Sequence, residues 1–347
     1  WRVRINRIMS KFQINSITGK DNIRGTSFVG VTTVSSTGSM RIPGGSTAYR
    51  GGRGRGILGP GAAIPGPATF NTQNYIEIAT TGDAIDFGDI PDGKAYRGGL
   101  ASSTRGIIIN GQNDETVHYV TISSKGGGSN FGEITSEHMG GATFNSPVTG
   151  FRAGGSDGGV STSTIIGFRI AQTSSFYNFG DLIEAGTYVN GASSPTRGIM
   201  FGGVTPSLSP TNNVIQYVTM ASMGSAQYFG DLATSRKYND TSGNSVRAMA
   251  AGGNATPAAN TNSIEYITIA TTGNAEDFGD LAYATAAGKS GSVSTATRGI
   301  FAGSHPAPTS RIDYITIMTT GNSIDFGDLT EDIEYPGGCS DTNGGVG

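Results

Sequence analysis

Ile324-Asp325-Phe326-Gly327-Asp328-Leu329 is the last of six copies of a Phe-Gly-acid-aliphatic segment, the others centred on Phe87, Phe131, Phe179, Phe229 and Phe278. Successive copies lie 44, 48, 50, 49 and 48 residues apart. A period of that length marks a supersecondary unit that buries its apolar face only by stacking on copies of itself. A residue that recurs with the period is therefore read first as structural.

Working back from Phe326, the same unit holds Thr297-Arg298-Gly299-Ile300-Phe301-Ala302-Gly303, a loop, Ile312-Asp313-Tyr314-Ile315-Thr316-Ile317 and a Thr320-Gly321-Asn322 turn. Period-two alternation and β-branched residues predict strands. The Thr-Gly-Asn turn supplies a residue able to take positive φ in a tight hairpin. A fourth, glycine-rich strand is predicted before each Arg-Gly-Ile segment, as in Ala284 to Gly291, where small residues suit the crowded inner end of a wedge-shaped sheet.

Four-stranded units of this length, six or more times over, match the blades of a β-propeller. With 56 Gly and 13 Pro, the chain leaves helices of useful length nowhere to form. A parallel β-helix is the rival, with rungs usually shorter than this period. The blade resembles the kelch repeat: a glycine-rich inner strand, an apolar strand ending in a Gly pair (Gly202-Gly203, Gly252-Gly253, weakened to Gly303-Ser304), an alternating strand with an aromatic, and an outer strand with a large aromatic. Here that last aromatic is Phe, where kelch units more often carry Trp. The resemblance covers roughly Ser46 to Leu329 and implies fold rather than function.

The expected fold class is all-β, a propeller of seven four-stranded, kelch-like blades with one blade shared between the termini. Residues 26–45 and 332–347 would close that blade, Phe28 to Val34 and Met40 to Ile42 supplying its second half and Tyr335 to Gly347 its first. Residues 1–25 then form a basic N-terminal arm and 26–347 the propeller. The alternative is six blades with Trp1 to Ile42 as an arm, supported by the missing Phe-Gly-Asp around Met40-Arg41-Ile42-Pro43.

Charged residues make up 14% of the chain, so the surface is polar without being strongly ionic. No run of 18 apolar residues exists, so no membrane-spanning helix is expected, and no secretory signal is read at the N-terminus. Cys339 is the only cysteine, which excludes an intramolecular disulfide. The net charge of −3 hides a division: residues 1 to 56 hold ten Lys or Arg against Asp21, or +9, and the remainder carries −12. Opposite signs favour a basic region docking on an acidic neighbour, such as another copy of this chain, with Arg2, Arg4, Arg7 and Lys11 as contacts. Nucleic acid ranks lower as a partner, because the basic residues are spread among Gly and Ser without interleaved aromatics.

Met9-Ser10-Lys11-Phe12-Gln13-Ile14-Asn15 reads as a natural start. From there to Gly45 the sequence resembles N-terminal regions of tail-fibre and other virion structural proteins of marine tailed bacteriophages, especially those of cyanobacteria. The recurring Tyr-Ile-Thr-Ile-Ala-Thr-Thr-Gly-Asn with Asp-Phe-Gly-Asp-Leu is similar to repeats in the same proteins. The resemblance implies a component of an extracellular particle, with other virion proteins as partners of the basic N-terminal region.

No catalytic, cofactor or metal-binding constellation is expected. His118, His138 and His305 stand in three different units without metal-ligand spacing. His118 occupies the position of Gln216, Glu265 and Asp313 in sister units and is read as a solvated, outward strand residue. A copper oxidase of the kelch type would need Tyr and His ligands beside a cross-linked Cys, and Cys339 has no His near it in sequence. The acids Asp89, Glu133, Asp181, Asp231, Asp280 and Asp328 are read as turn acceptors between blades in preference to a cation-binding ring in a channel. The recurring Arg55, Arg105, Arg152, Arg197, Arg247 and Arg298 are assigned to inter-blade contacts.

Recognition is expected where the repeats differ, in the loops between second and third strands. These share one face of the disc with the connections between blades. Candidate ligand contacts there are Asn113, Asp114, Asp157, Asn212, Asn213, Asn254 and His305, suited to a host glycan or protein. Two function classes follow: a non-enzymatic virion protein serving host attachment or particle assembly, and a cellular kelch-like propeller acting as a binding module or enzyme.

Overall fold

The computed structural model describes residues 54–62, 70–93, 97–109, 111, 114–135, 139–207, 211–256, 259–285, 291–304 and 307–342. All belong to one unit spanning Arg50–Gly347; a second unit, Trp1–Tyr49, lies outside the described residues. The described residues form no helix and build a six-bladed β-propeller of four-stranded antiparallel sheets.

From the axis outward, blade two runs Gly98–Ala101, Arg105–Ile109, Thr116–Thr121 and Ser129–Glu133. Blade four runs Asn190–Ser193, Arg197–Phe201, Val214–Thr219 and Gln227–Asp231. This is the strand order the repeat predicts, with the glycine-rich strand innermost and Phe-Gly-acid outermost. Buried aliphatics of each second and third strand pack against the outer-strand Phe and the next blade, as Ile199, Phe201, Ile215 and Phe229 do with Ala248 and Ile267.

Closure departs from the seven-blade expectation. The C-terminal strand Gly338–Ser340 pairs antiparallel with Arg55–Leu58, Cys339 standing opposite Ile57. Blade one is thus Gly338–Ser340, Arg55–Leu58, Thr72–Glu77 and Ile85–Asp89. The first repeat starts at its second strand and leaves an open inner edge, and the tail fills that edge instead of building a further sheet with residues 26–45. Residues 26–45 themselves lie outside the described residues.

Two repeated devices join the blades, and they account for the repeated residues. The first is a rim latch. The turn before each outer strand donates a backbone N–H to the Phe carbonyl of the preceding blade, and in every seam but that of blades two and three a second to the acid carbonyl: Gly224 to Phe179 (3.1 Å), Ala226 to Asp181 (2.7 Å), Gly273 to Phe229 (2.9 Å), Ala275 to Asp231 (2.9 Å). Asn274 and Asn322 add side-chain acceptors for the N–H of Asp231 and Asp280, each at 3.0 Å. The latch occupies carbonyls on the outer edge of each sheet, an edge that would otherwise invite pairing with foreign strands. Gly279, at φ 142°, shows why the motif needs glycine: a Cβ there would lie 2.5 Å from the Gly321 carbonyl of the next blade. The acid side chains sit at this outer rim, far from any channel, and three accept from hydroxyls, including Ser163 to Asp181 at 3.0 Å and Tyr228 to Asp231 at 2.6 Å.

The second device is an arginine clamp. Arg197 stacks over the Tyr217 ring at 4.8 Å and donates to the carbonyls of Ile269 (2.9 Å) and Ala270 (3.0 Å) in blade five. Arg55, Arg105, Arg247 and Arg298 each do the same to the next blade's Ile122, Ile170, Ile317 and Ile78, over Tyr75, Tyr119, Tyr266 and Tyr314. Arg152 does not belong to this set. In blade three Thr149 holds the clamp register, opposite Arg169 as Arg197 is opposite Thr219, and Arg152 lies three residues further on. The clamp tyrosine is lost with its arginine: Gly167 replaces it, and the Tyr177 ring fills the space a Cβ would need.

Candidate functional site

Hydrogen bonds between the second-to-third-strand loops and the inter-blade connections confirm that the two share one face. Gly155 N–H donates to Gly186 O (2.7 Å), Gly203 N–H to Arg236 O (3.0 Å) and Gly59 N–H to Gly337 O (2.8 Å). In blade three the loop becomes a hairpin of Ser156–Asp157 and Val160–Ser161. In blade five Asn254–Ala255 pairs with Arg236–Lys237. These additions give the face a relief that differs from blade to blade.

Of the residues expected to bind ligand here, Asp157 is exposed at its hairpin. Asn212, expected as a ligand contact, is buried instead; its Oδ1 accepts the Val214 N–H at 2.8 Å and holds the start of the third strand. Asp114 plays the same part for Thr116 at 2.8 Å. Asn213 Nδ2 donates to Leu232 O (3.4 Å) and Asn254 Nδ2 to Asn260 Oδ1 (3.3 Å). Such local bonds are what Asn and Asp offer a chain leaving regular structure. These positions belong to different blades and do not converge on one point. Asn113, His305, Arg2, Arg4, Arg7 and Lys11 lie outside the described residues.

His118, Gln216, Glu265 and Asp313 all face the interior, between 2% and 5% exposed, contrary to the outward reading. Strand alternation fixes which residues share a face; which face meets a neighbouring blade is set by the ring. Gln216 Oε1 accepts the Ile183 N–H (2.9 Å) and Glu265 Oε2 the Ala233 N–H (2.7 Å), each capping the residue that leaves the preceding blade. Glu265 also pairs with the Arg236 guanidinium, which donates further to the Gly252 and Ser263 carbonyls, each at 3.1 Å. Burial raises the Asp313 carboxyl pKa, although Arg311 at 2.9 Å opposes the rise.

Two further cations are buried: Arg97, which nothing periodic marks in the sequence, and Arg152, read there as one of the recurring inter-blade arginines. Arg97 precedes the inner strand of blade two and Arg152 lies between the inner strands of blades two and three, where Gly98 and Gly141 leave it room. Burial pulls both guanidinium pKa values down to about 9, so both stay charged at neutral pH.

The six inner strands line an axial channel of about 90 Å³, walled by small residues such as Gly99, Gly191, Ser242, Ser292 and Gly338. A typical ligand pocket holds about 300–1,000 Å³. Hydroxyls tie neighbouring inner strands around the axis: Thr143 to Gly99 O (3.1 Å), Thr241 to Gly191 O (2.6 Å) and Ser193 to Asn145 O (2.8 Å). Among the described residues no group of three or more His, Cys, Asp or Glu could hold a metal ion, and no helix is long and apolar enough to cross a membrane.

A solved propeller-like protein, titled "Structure of YjhT", superposes with a TM-score of 0.59. It shares 10% identity and the match covers 71% of this chain and 87% of that one, a likeness that shows the fold alone. No family model matches the sequence, and no curated protein is significantly similar to it.

Proposed function

We propose that the chain is a non-enzymatic structural protein of a virus particle, a kelch-like propeller that assembles through its basic N-terminal region. One observation carries this reading: the charge division of the sequence has a spatial counterpart. The outer strands of blades five, six and one expose Glu276, Asp277, Asp325, Asp328 and Asp86, with Asp83 exposed in the turn entering the last, and no Lys or Arg stands on these strands. A rim of one sign and a segment of +9 are complementary surfaces for neighbouring copies or for other particle proteins. The resemblance of Met9 to Gly45, and of the repeats, to marine phage tail-fibre and virion proteins supports the particle, whose surface is then the site of the protein. Electron microscopy of the native assembly, with light scattering of the purified chain at rising salt, tests the reading. Ordered multimers that dissociate as salt rises are expected, and their loss on charge reversal of Arg2, Arg4, Arg7 and Lys11. A chain that stays monomeric at every ionic strength overturns it.

The variable face favours host attachment as the role of the assembled propeller, with a surface glycan or protein as ligand. Loops held on a rigid scaffold are where recognition is usually placed. Exposed Asp157 and half-buried Asn213 and Asn254 are its polar contacts. A cellular kelch-like binding module or enzyme is the competing class. An axial channel of about 90 Å³ gives that class little room for a substrate.

A further inference from the structure

The seam between blades one and two differs from the others at three positions together. In three of the other seams a polar third-strand side chain caps the N–H that follows the preceding outer strand: Gln216 caps Ile183, Glu265 caps Ala233 and Asn74 caps Thr330 (3.2 Å). His118 holds the same register, opposite Ile108 as Gln216 is opposite Met200. The residue it would cap is Pro91, which has no N–H to give. The imidazole is 2% exposed and neither ring nitrogen has a hydrogen-bond partner; the Asp92 carboxylate stands 3.6 Å from Nε2, beyond hydrogen-bonding distance.

The opposite wall of the seam is altered too. Gln73 stands opposite Gly88, a register filled elsewhere by Val117, Ile165, Ile215, Ile264 and Ile312. Gln73 is fully buried, and neither amide atom is hydrogen-bonded. In the seam between blades two and three the matching positions are Val117 and Ile166, packed in one apolar cluster. Here they have become Gln73 and His118.

The strand that closes the ring inside blade one borders this seam, and on its other side borders blade six, where Ser340 Oγ donates to Ser294 O (2.8 Å). The C-terminal strand packs on blade two, with Gly99 against the Gly338 backbone and the Cys339 Sγ 2.7 Å from the point where a Gly106 Cβ would stand. Arg97 packs beside Gly337 on the approach to that strand.

We propose that the seam is an acid-sensitive latch: protonation of His118 loosens blade one from blade two and frees the C-terminal strand, opening the ring at this one place. A neutral imidazole is buried at modest cost, whereas an imidazolium brings a full charge into the same site. The charged groups facing it are Asp92 and Arg97, on the connection from blade one, and Asp114, on the loop entering its own strand. Gln73 on blade one and the Cys339 thiol on the closing strand are uncharged. Burial lowers the His118 pKa below its ordinary value of 6.5, Arg97 lowers it further, and the two carboxylates oppose them. The unfolded chain therefore takes up the proton first as pH falls. This group's share of stability is complete above pH 6.5 and is lost as the pH drops through the folded value.

The test is hydrogen exchange of the full chain, corrected for intrinsic rates, together with denaturation midpoints between pH 8 and pH 4.5. The amides of Gly338–Ser340 are expected to lose at least tenfold in protection on acidification before those of blades three to five. The double variant His118→Gln with Pro91→Ala restores the cap that Gln216 makes, and is expected to keep neutral stability while flattening the acid limb. His118→Ala is expected to flatten it as well. Parallel pH curves for the parent and both variants, or protection lost equally in all six blades, would overturn the latch. Should the variants fail to fold, NMR titration of His118 in the parent chain decides, and a pKa at or above 6.5 would sink the idea.

Discussion

Gly230 of blade four meets Gly273 of blade five so closely that a Cβ on Gly230 would lie less than 3.0 Å from the Gly273 carbonyl, yet a Cβ on Gly273 would meet nothing within 4 Å. At this seam the rim latch thus demands glycine on one side only. Gly230→Ala is expected to cost about 1–3 kcal/mol, the usual penalty for forcing atoms into a packed contact, and Gly273→Ala within about 0.5 kcal/mol of neutral. Denaturant midpoints of the two variants check this. Equal losses would mean that the backbones move apart freely.

Arg197→Ala removes a stacked guanidinium and two donors to blade five, and is expected to cost about 1–3 kcal/mol. Arg197→Lys should recover little of it, because an ammonium lacks the planar fork that stacks on Tyr217 while reaching two carbonyls. Thermal melts of the three proteins decide, and full rescue by Lys would reduce the clamp to a point charge.

Removal of residues 337–347 should strip blade one of its inner strand and produce aggregation or a large fall in melting temperature, since an open edge pairs with other chains. Deletion of Met9 to Met40 should leave the melting of the ring unchanged, because six complete sheets stand without that segment. Size-exclusion chromatography and calorimetry of both truncations test the closure.

Cys339 is buried, and desolvation pushes its thiol pKa up to about 12, with Asp341 acting in the same direction. Only the thiolate reacts with alkylating agents. Iodoacetamide at pH 8 is expected to leave the folded protein unmodified over hours and to label it completely in denaturant, as mass spectrometry would show. Rapid labelling of the native protein would place the closing strand outside blade one.

The six Phe-Gly-acid segments and their alternating neighbours determined the blade, its strand order and the structural reading of its repeated residues, because strand periodicity and turn chemistry are local properties of the chain. The outcome at Phe326, Tyr314 and Gly327 could be read directly from their spacing. Tertiary structure decided what depends on a neighbour. The tail from Gly338 to Ser340 closes blade one because an unpaired inner edge lies there, a fact about the assembled ring and absent from either terminus. His118 faces inward because a blade has packed against it, while alternation alone says only that it shares a face with Val120 and Thr116. Arg152 stands near the clamp position in sequence yet three residues away in register, and that offset is visible only once Arg152 is seen opposite Ile166.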